Sequence, residues 1–255
     1  MNWLTRDFSV LFWMITRLIA CARMGHEGRK IFYLREIAKA FSRIGADAIP
    51  IVSVIAVSIG VILSLQAALQ LEKVGAVSYV ASLVGVTILT ELGPLLTAII
   101  VTGRSGASFA AEIATMQIYE EIDALEVIGL DPVRFLVWPK LLAMVLMVPC
   151  LTVLADFVGI VSGGVFSSVF LGIDGRTYFQ ESVNFLRLRF FYTGLIKSLG
   201  FAVTITLIGC WQGFLARDGA VDVGLRTTRA VVQSIFVIVL LDLFFTAVNY
   251  LVRPS

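Results

Sequence analysis

The stretch AIPIVSVIAVSIGVILSLQAALQL, residues 48–71, decides the fold class of this chain of 255 residues. It contains no acidic or basic side chain, and a bilayer core about 30 Å thick needs roughly 20 apolar residues in a helix. Over the whole chain 58% of the residues are hydrophobic and 15% are charged, whereas a soluble domain carries about 25% charged residues. The sequence therefore predicts a protein that lies in a membrane.

Four further apolar stretches follow the first. Residues 74–103, 141–173 and 230–252 are apolar apart from one acidic residue each, and residues 198–216 carry no charge. We predict an all-α integral membrane protein with about five membrane-spanning helices. Glu72, Lys73 and Gly75 predict a tight turn between the first two, and a re-entrant hairpin that does not fully cross the membrane is the alternative for this pair.

The basic residues outside the spans predict the orientation of the chain. Of the 20 lysines and arginines, eight precede the first span, three lie between the second and third, and three lie between the fourth and fifth. The positive-inside rule makes these residues cytoplasmic. With an odd number of spans, the N-terminus is then cytoplasmic and the C-terminus lies on the outer side.

The first 45 residues mix these basic side chains with tryptophan, phenylalanine, leucine and isoleucine. Such a mixture predicts an amphipathic helix in the membrane interface, its cations facing anionic headgroups. A sixth span is opposed by Arg17 and Arg23, which divide the apolar run. We therefore predict an interfacial segment over 1–45 and a transmembrane domain over 46–255, with a second short interfacial helix within 174–197.

Cysteine and histidine usage argues against metal or redox chemistry. Cys21, Cys150 and Cys210 lie far apart, and His26 is the only histidine. A structural zinc site brings four such ligands together, usually with a CxxC pair, which this chain lacks, so we expect no metal and no cofactor. The chain also has no GxxxxGK[ST] phosphate loop, so we expect that it is not an enzyme and does not itself hydrolyse ATP. No feature predicts nucleic-acid binding.

The segment GRSGASFAAEIATMQIYEEIDALEVIGLDPVRFLVWPK, residues 103–140, lies between the second and third spans. Residues 110–128 favour one helix, and Gly129 is placed to end it. Asp131 and Pro132 predict the N-cap and first position of the next helix.

This predicted helix has an acidic character and an apolar ridge. An acidic helix with an apolar ridge on the cytoplasmic side suits the groove of a partner protein, or else packs on its own bundle. The acidic residues are Glu112, Glu120, Glu121, Asp123 and Glu126, and the ridge consists of Ile118, Ile122 and Leu125.

Three acidic residues interrupt the spans, Glu91, Asp156 and Asp242, and Lys197 stands at the start of the fourth. A charge in the membrane is costly unless it is paired or faces the bundle interior. For Glu91, which precedes Gly93-Pro94, we favour a functional role with Lys197 in a cavity that meets a lipid headgroup. For Asp156 and Asp242 we favour a structural role. Pairing of the acids with Lys197 to hold the bundle together is the alternative.

Taken together, the ordered motifs resemble the MlaE/YrbE permease family from about residue 30 onward. The motifs that carry the resemblance are Glu91-Leu92-Gly93-Pro94, Gly103-Arg104-Ser105-Gly106, Ala111-Glu112, Thr115-Met116, Glu121 to Leu125, Gly129-Leu130-Asp131-Pro132, Pro149-Cys150-Leu151, Gly159 with Gly163-Gly164, Gly219, Gly224 and Arg226 to Val232.

The resemblance implies a function and a set of partners. Members of this family are membrane subunits of ABC transporters that move phospholipids or related lipids across the envelope of Gram-negative bacteria. They act as homodimers in the inner membrane, each with a cytoplasmic ATPase subunit and a periplasmic MCE-domain protein, and some systems add a STAS-domain protein. ATP hydrolysis is expected on the partner.

The resemblance also implies roles for particular residues. The helix of residues 110–128 becomes the coupling helix that docks in the ATPase, through Glu120, Glu121, Ile122, Asp123 and Leu125. Glu91 and Lys197 become part of a central lipid cavity, with Leu65, Leu69 and Leu71 as the wall that holds acyl chains.

A proton-coupled secondary transporter or channel is the alternative function. Glu91, Asp156 and Asp242 could then relay protons, although no inverted repeat is visible. A membrane serine protease is a weaker rival, because Ser105 would need a base and His26 lies outside the spans.

Overall fold

The computed structural model describes residues 10–18, 45, 47–73, 75–76, 79–170, 172, 175–185, 188–217 and 219–251. Within these residues every regular element is a helix. Five helices are long and apolar enough to cross a membrane, which confirms the predicted number. These are the first to fifth spans: Ile49–Glu72, Val80–Ile118, Val133–Phe170, Leu188–Phe214 and Gly219–Leu251.

The second and third spans combine α-helical and π-helical turns. The second consists of α-helices Val80–Thr87, Gly93–Val101 and Ala107–Ile118, separated by π-helical turns at Ile88–Leu92 and Thr102–Gly106. The third begins with the π-helical turn Val133–Val137 and continues as the α-helix Trp138–Phe170, which contains Pro149. Isolated π-helical turns often accompany functional sites.

Two shorter helices lie between spans. Glu121–Val127 precedes the third span, and Gly175–Phe185 lies within the segment for which we predicted a short helix before the fourth. Of the predicted interfacial segment 1–45, residues 10–18 are helical; residue 45 is also described, and the rest of that prediction lies outside the described residues.

The chain divides into two compact units. One consists of Met1–Ala46, Val101–Met147 and Phe201–Leu241, and the other of Asp47–Ile100, Val148–Gly200 and Asp242–Ser255. We call them the first and second unit, and each has its own packing.

In the second unit, the turn after the first span follows the predicted chemistry. The helix ends at Glu72, and Gly75 adopts φ 67°, a left-handed conformation that suits glycine. The following amide, Ala76 N, donates to Leu71 O over 2.9 Å. The second span then returns along the first, and Ala67 and Ala68 pack against Val80, Val84 and Ile88.

Small residues let the first and third spans approach closely in the same unit. A Cβ on Gly60 would collide with Gly159 O and Ser162 Oγ, and one on Gly163 would lie 2.7 Å from Ser64 Oγ. Small residues four apart are typical of close helix contacts in membranes. The small-residue pattern at Gly60, Ser64, Gly159 and Gly163 is therefore used within the chain itself.

The helix Gly175–Phe185 is anchored by Tyr178, whose side chain is fully buried. Its ring packs on Gly164, where a Cβ would lie 2.9 Å from it. Burial raises the pKa of Tyr178 to about 12, an increase that the neighbouring Ser64 hydroxyl partly offsets. The Gly163-Gly164 pair thus leaves the space that the ring fills.

In the first unit, glycines bring the fourth span against the end of the second. A Cβ on Gly209 would lie 3.0 Å from Gly106 O, and one on Gly213 would lie 2.6 Å from Ile113 Cβ. A polar network joins the fourth and fifth spans, because Gln212 Nε2 donates to Gln233 Oε1 over 2.6 Å and Gln212 Oε1 accepts from Arg226 Nη1 over 3.5 Å.

Candidate functional site

Lys197 lies inside the fourth span rather than at its start. The helix begins at Leu188 and therefore includes several amphiphilic turns before the charge-free run that starts at residue 198. Lys197 is therefore about two and a half turns from the helix end. Its side chain is 1% exposed, so the ammonium needs partners within the protein.

Three oxygen atoms surround the Lys197 ammonium, and we call this group the Lys197 cluster. Nζ donates to Glu91 Oε2 over 2.5 Å and to Thr246 Oγ1 over 2.8 Å. Asp242 Oδ1 lies 2.9 Å from Nζ as an ion pair that is out of line for a hydrogen bond. Thr246 Oγ1 in turn lies 3.1 Å from Glu91 Oε1, to which it donates.

The cluster thus joins three of the four charged residues that the sequence places in or beside the spans. It brings Glu91 of the second span, Lys197 of the fourth and Asp242 of the fifth together. Asp156 is the member that it leaves out. Thr246 was not predicted as a site residue, and its position one turn after Asp242 is the signal that could have found it.

The π-helical turn Ile88–Leu92 places Glu91 in this cluster. Gly93 N donates to Ile88 O, five residues back, and closes the turn. Pro94 has no N–H, and Gly93 N donates to Ile88 O. Neither residue therefore donates to Leu89 O. The Glu91-Leu92-Gly93-Pro94 motif therefore widens the helix at the residue that carries the charge.

Gly194 lets the fourth span approach this widened turn. A Cβ on Gly194 would collide with Leu89 O, which is a backbone atom that a side-chain rotation cannot move. Lys197 lies three residues after Gly194 and hence on the same side of the helix. The close approach at Gly194 therefore brings the Lys197 ammonium within reach of Glu91.

Asp156 lies in the same unit, next to an apolar cavity. Its side chain packs on Gly93, and its Oδ1 has no hydrogen-bond partner among the described residues. The cavity is small, with a volume of about 20 Å³. It is lined by Val52, Ile55, Ala56, Ile59, Ile88, Leu92, Gly93, Leu96, Thr97, Ile100, Ala155 and Gly159.

The three leucines that we predicted as an acyl-chain wall lie elsewhere on the first span. Leu65 and Leu69 are 43% and 57% exposed, and Leu71 packs against the core formed with Val80 and Val84. The cavity beside Asp156 is lined instead by Val52, Ile55 and Ile59 of that span.

The acidic segment belongs to the first unit, and it is two helices rather than the single helix predicted over 110–128. Ala107–Ile118 ends before Tyr119, and Glu121–Val127 begins after Glu120. Glu120 adopts φ 59°, the left-handed conformation that ends an α-helix. The periodicity of acidic and apolar residues continues through this break, so the sequence pattern could not predict the break.

The predicted turn chemistry after the acidic helix is confirmed. Gly129 has φ 79°, and Leu130 N donates to Leu125 O over 2.9 Å, as in a glycine-terminated helix. Asp131 Oδ1 accepts from Val133 N over 3.0 Å as an N-cap. Arg17 Nη1 of the N-terminal helix donates to Asp131 Oδ2 over 2.9 Å.

The residues predicted to couple to a partner differ in exposure. Glu120, Glu121 and Asp123 are exposed and Leu125 is half-buried, but Ile122 is buried within the protein. At Ile122, the apolar ridge of this helix therefore packs on the chain itself. Three unpredicted residues provide exposed apolar surface around the helix: Tyr119 at 72%, Val127 at 87% and Ile128 at 69%.

No group of His, Cys, Asp and Glu side chains within the described part of the chain could hold a metal ion. The second unit thus contributes one candidate site, the Lys197 cluster with the neighbouring cavity, and the first unit contributes a separate one, the exposed acidic helix Glu121–Val127.

Five spans with an ion-paired cluster inside them define a multi-pass α-helical membrane protein of the transport class. The chain belongs to the permease MlaE family, whose model matches residues 37–248. This confirms the family that the motifs resemble.

Bacterial relatives support the same class. The chain is 34% identical over 214 residues to a "probable ABC transporter permease protein" of Rickettsia typhi, covering 84% of this chain and 83% of the relative. It is 35% identical over 212 residues to a protein of the same description in Synechocystis, covering 83% and 81%.

A plastid relative has a more specific name. The chain is 31% identical over 208 residues to the chloroplastic protein Trigalactosyldiacylglycerol 1 of Arabidopsis thaliana. The match covers 82% of this chain and 59% of that protein.

Proposed function

We propose that this permease moves phospholipids or related lipids between the bacterial inner membrane and an MCE-domain partner, as the membrane subunit of an ABC transporter. The observation that carries the proposal is the Lys197 cluster, because an ionisable group inside a membrane span marks a functional path by default. Glu91 keeps 34% of its side chain exposed although its partner Lys197 is buried. The name of the Arabidopsis relative, which refers to a lipid, supports the substrate class.

The apolar lining of the cavity supports a contact surface for acyl chains. It lies in the same unit as the Lys197 cluster, and Leu92, which lines it, directly follows Glu91. Apolar lining with a few polar groups is typical of a site for an amphiphilic ligand. We infer that acyl chains contact this cavity, and that the leucines at 65, 69 and 71 are a secondary apolar surface.

We propose that the chain itself is not an enzyme and that a separate cytoplasmic ATPase supplies the energy. The docking surface consists of Tyr119, Glu121, Asp123, Val127 and Ile128, in which exposed apolar side chains flank two acids. Such a helix suits a groove with basic residues at its rim. Movement of this helix during ATP hydrolysis would drive the transport step.

The coupling role is tested by reversing charge on the docking surface. In the complete transporter, the double variant Glu121→Lys with Asp123→Lys is expected to lower ATP-driven lipid transfer at least about tenfold, because it repels a basic groove. Glu72→Lys, at an exposed acid that is the last residue of the first span, is the matched control. Normal transfer by the double variant would refute the coupling role.

A homodimer is proposed for the assembly. The fifth span buries 11% of its most apolar window within the chain, against 33 to 56% in the other four. Its exposed residues include Phe236, Leu240 and Phe244, a surface that a second copy can cover. A periplasmic MCE-domain protein, and a STAS-domain protein in some systems, complete the proposed set of partners.

The orientation remains that of the positive-inside rule, with the N-terminus in the cytoplasm. Single cysteines introduced at Lys73 and Val127, in a variant whose native cysteines are replaced, should react with an impermeant thiol reagent from opposite sides. Labelling of both from the same side would contradict the proposed topology.

The proton-coupled alternative makes a different prediction. Asp156, whose buried Oδ1 has no hydrogen-bond partner in the described part of the chain, is the residue that favours it. Lipid transfer that requires the ATPase and ignores a proton gradient supports the ABC mechanism. Transfer driven by a proton gradient without any ATPase would overturn it.

A further inference from the structure

The lysine of the Lys197 cluster is not available to a lipid headgroup. Its side chain is 1% exposed, and three oxygen atoms lie within 2.9 Å of Nζ. An ammonium has three N–H donors and no acceptor. A headgroup phosphate would therefore have to enter a closed site and displace Glu91, Asp242 or Thr246.

Thr246 is exposed, but its hydroxyl proton is already donated to Glu91. The accessible charged group of the cluster is the carboxylate of Glu91. Its side chain is 34% exposed, compared with 16% for Asp242. Oε2 accepts from Lys197 and Oε1 accepts from Thr246. Each carboxylate oxygen can accept a second hydrogen bond, so a ligand that reaches the cluster meets acceptors rather than donors.

The charge of the cluster favours the same kind of ligand. One cation faces two acids, which leaves a formal charge of −1 among the described residues. The next described cation on the same helix, Arg189, lies about 12 Å away along the axis and donates to Asn249. Since an uncompensated charge in apolar surroundings is costly, a cationic group beside Glu91 would stabilise the site.

We propose that the site selects lipids whose headgroup carries a primary ammonium, and that Glu91 binds this ammonium. The inference rests on the proposed function, because it requires that lipid enters the site. A trimethylammonium headgroup has the charge but no N–H donor, and a glycerol headgroup leaves the lipid anionic. The expected order of binding is therefore phosphatidylethanolamine, then phosphatidylcholine, then phosphatidylglycerol.

Competition between these lipids tests the proposal directly. The full-length protein is purified in mild detergent and equilibrated with equimolar phosphatidylethanolamine, phosphatidylcholine and phosphatidylglycerol with identical acyl chains. Retained lipids are then counted by mass spectrometry. We expect about tenfold more phosphatidylethanolamine than phosphatidylglycerol, the ratio that one charge-assisted hydrogen bond gives.

The variant Glu91→Gln removes the charge but keeps an acceptor for Lys197. It leaves Lys197 paired with Asp242, so the fold is expected to persist. The ratio of phosphatidylethanolamine to phosphatidylglycerol should fall to within about twofold of unity. Glu112→Gln is the matched control, because Glu112 also pairs with a lysine but lies in the first unit, and its ratio should equal that of the wild type.

Failure of the ammonium preference and failure of the proposed function give different results. Equal retention of the three lipids by the wild type, or an unchanged ratio in Glu91→Gln, would overturn the ammonium preference and leave lipid transport standing. The wild-type ratio is measured without any variant, so it tests the ammonium preference even if Glu91→Gln does not fold. Retention of no lipid by the wild type would overturn the proposed function together with the inference.

Discussion

Two lysine–glutamate pairs, one in each unit, differ in what surrounds the lysine. Lys140 Nζ lies 2.9 Å from Glu112 Oε1, with 12% of the lysine side chain exposed, and 5.6 Å from the ring centroid of Phe109. Lys197 is 1% exposed and has Glu91, Asp242 and Thr246 around it. The first pair is neutral and partly exposed, whereas the second encloses its lysine and has one acid in excess.

The comparison shows that pairing alone does not determine what a buried lysine does. Around Lys140 a single acid neutralises the charge, and its loss leaves an exposed carboxylate that water can solvate. Around Lys197 two acids depend on one cation within the membrane spans, and its loss leaves both without compensation.

Removing the central cation should have the largest effect. Lys197→Met is expected to lower the free energy of unfolding by about 3–5 kcal/mol, because two carboxylates are left unpaired among apolar helices. Denaturant unfolding in detergent measures it. The triple variant that adds Glu91→Gln and Asp242→Asn should recover most of the loss, and a loss below about 1 kcal/mol in the single variant would contradict the closed cluster.

Moving the helix that carries the lysine should have the next largest effect. Gly194→Ala places a Cβ against Leu89 O, so the fourth span must shift, at a cost of about 1–3 kcal/mol. The control is Gly224→Ala in the fifth span, where the Cβ meets open space and the change should stabilise by about 0.5–1 kcal/mol. Equal effects at the two glycines would show that the approach at Gly194 is not tight.

Removing the hydroxyl that joins lysine and glutamate should have a smaller effect. Thr246→Val is expected to lower stability by about 1 kcal/mol, because two hydrogen bonds are lost while the ion pairs remain. Thr193→Val is the matched control, since its hydroxyl donates to Arg189 O of its own helix. Both are compared by thermal unfolding, and no difference between them would argue against a bridging role for Thr246.

The pair in the first unit should give the smallest effect. Lys140→Met is expected to change stability by less than about 1 kcal/mol, because its partner Glu112 is 42% exposed and the pair is easily replaced by solvent. The same unfolding assay measures it. A loss as large as that of Lys197→Met would mean that the surroundings of the two lysines do not differ as proposed.

Much of the helical organisation was predictable because hydrophobicity acts locally. The runs around Ile49–Glu72 and Gly219–Leu251 identify spans without any tertiary information. Turn chemistry at Gly75, Gly129 and Asp131 was also predictable, since each depends on a few neighbouring residues. The break at Glu120 was not, because a left-handed glutamate has no signal of its own in the residue pattern.

The candidate site was predictable in its members but only partly in its arrangement. Glu91, Asp156, Asp242 and Lys197 stand out because charges are rare in apolar runs. Their sequence positions do not say which of them meet. The structure joins three and leaves Asp156 beside Gly93, and it buries Ile122 while exposing Tyr119, Val127 and Ile128.

The sequence by itself determined that this protein is a five-span membrane protein, and its ordered motifs determined the permease MlaE family. Both depend on local composition and spacing, which a linear chain displays. Only the tertiary structure decided that Lys197 is enclosed and that Glu91 is the exposed charge of the cluster. That outcome depends on how closely three helices approach at Gly194 and at the π-helical turn, and such distances arise only when the spans pack together.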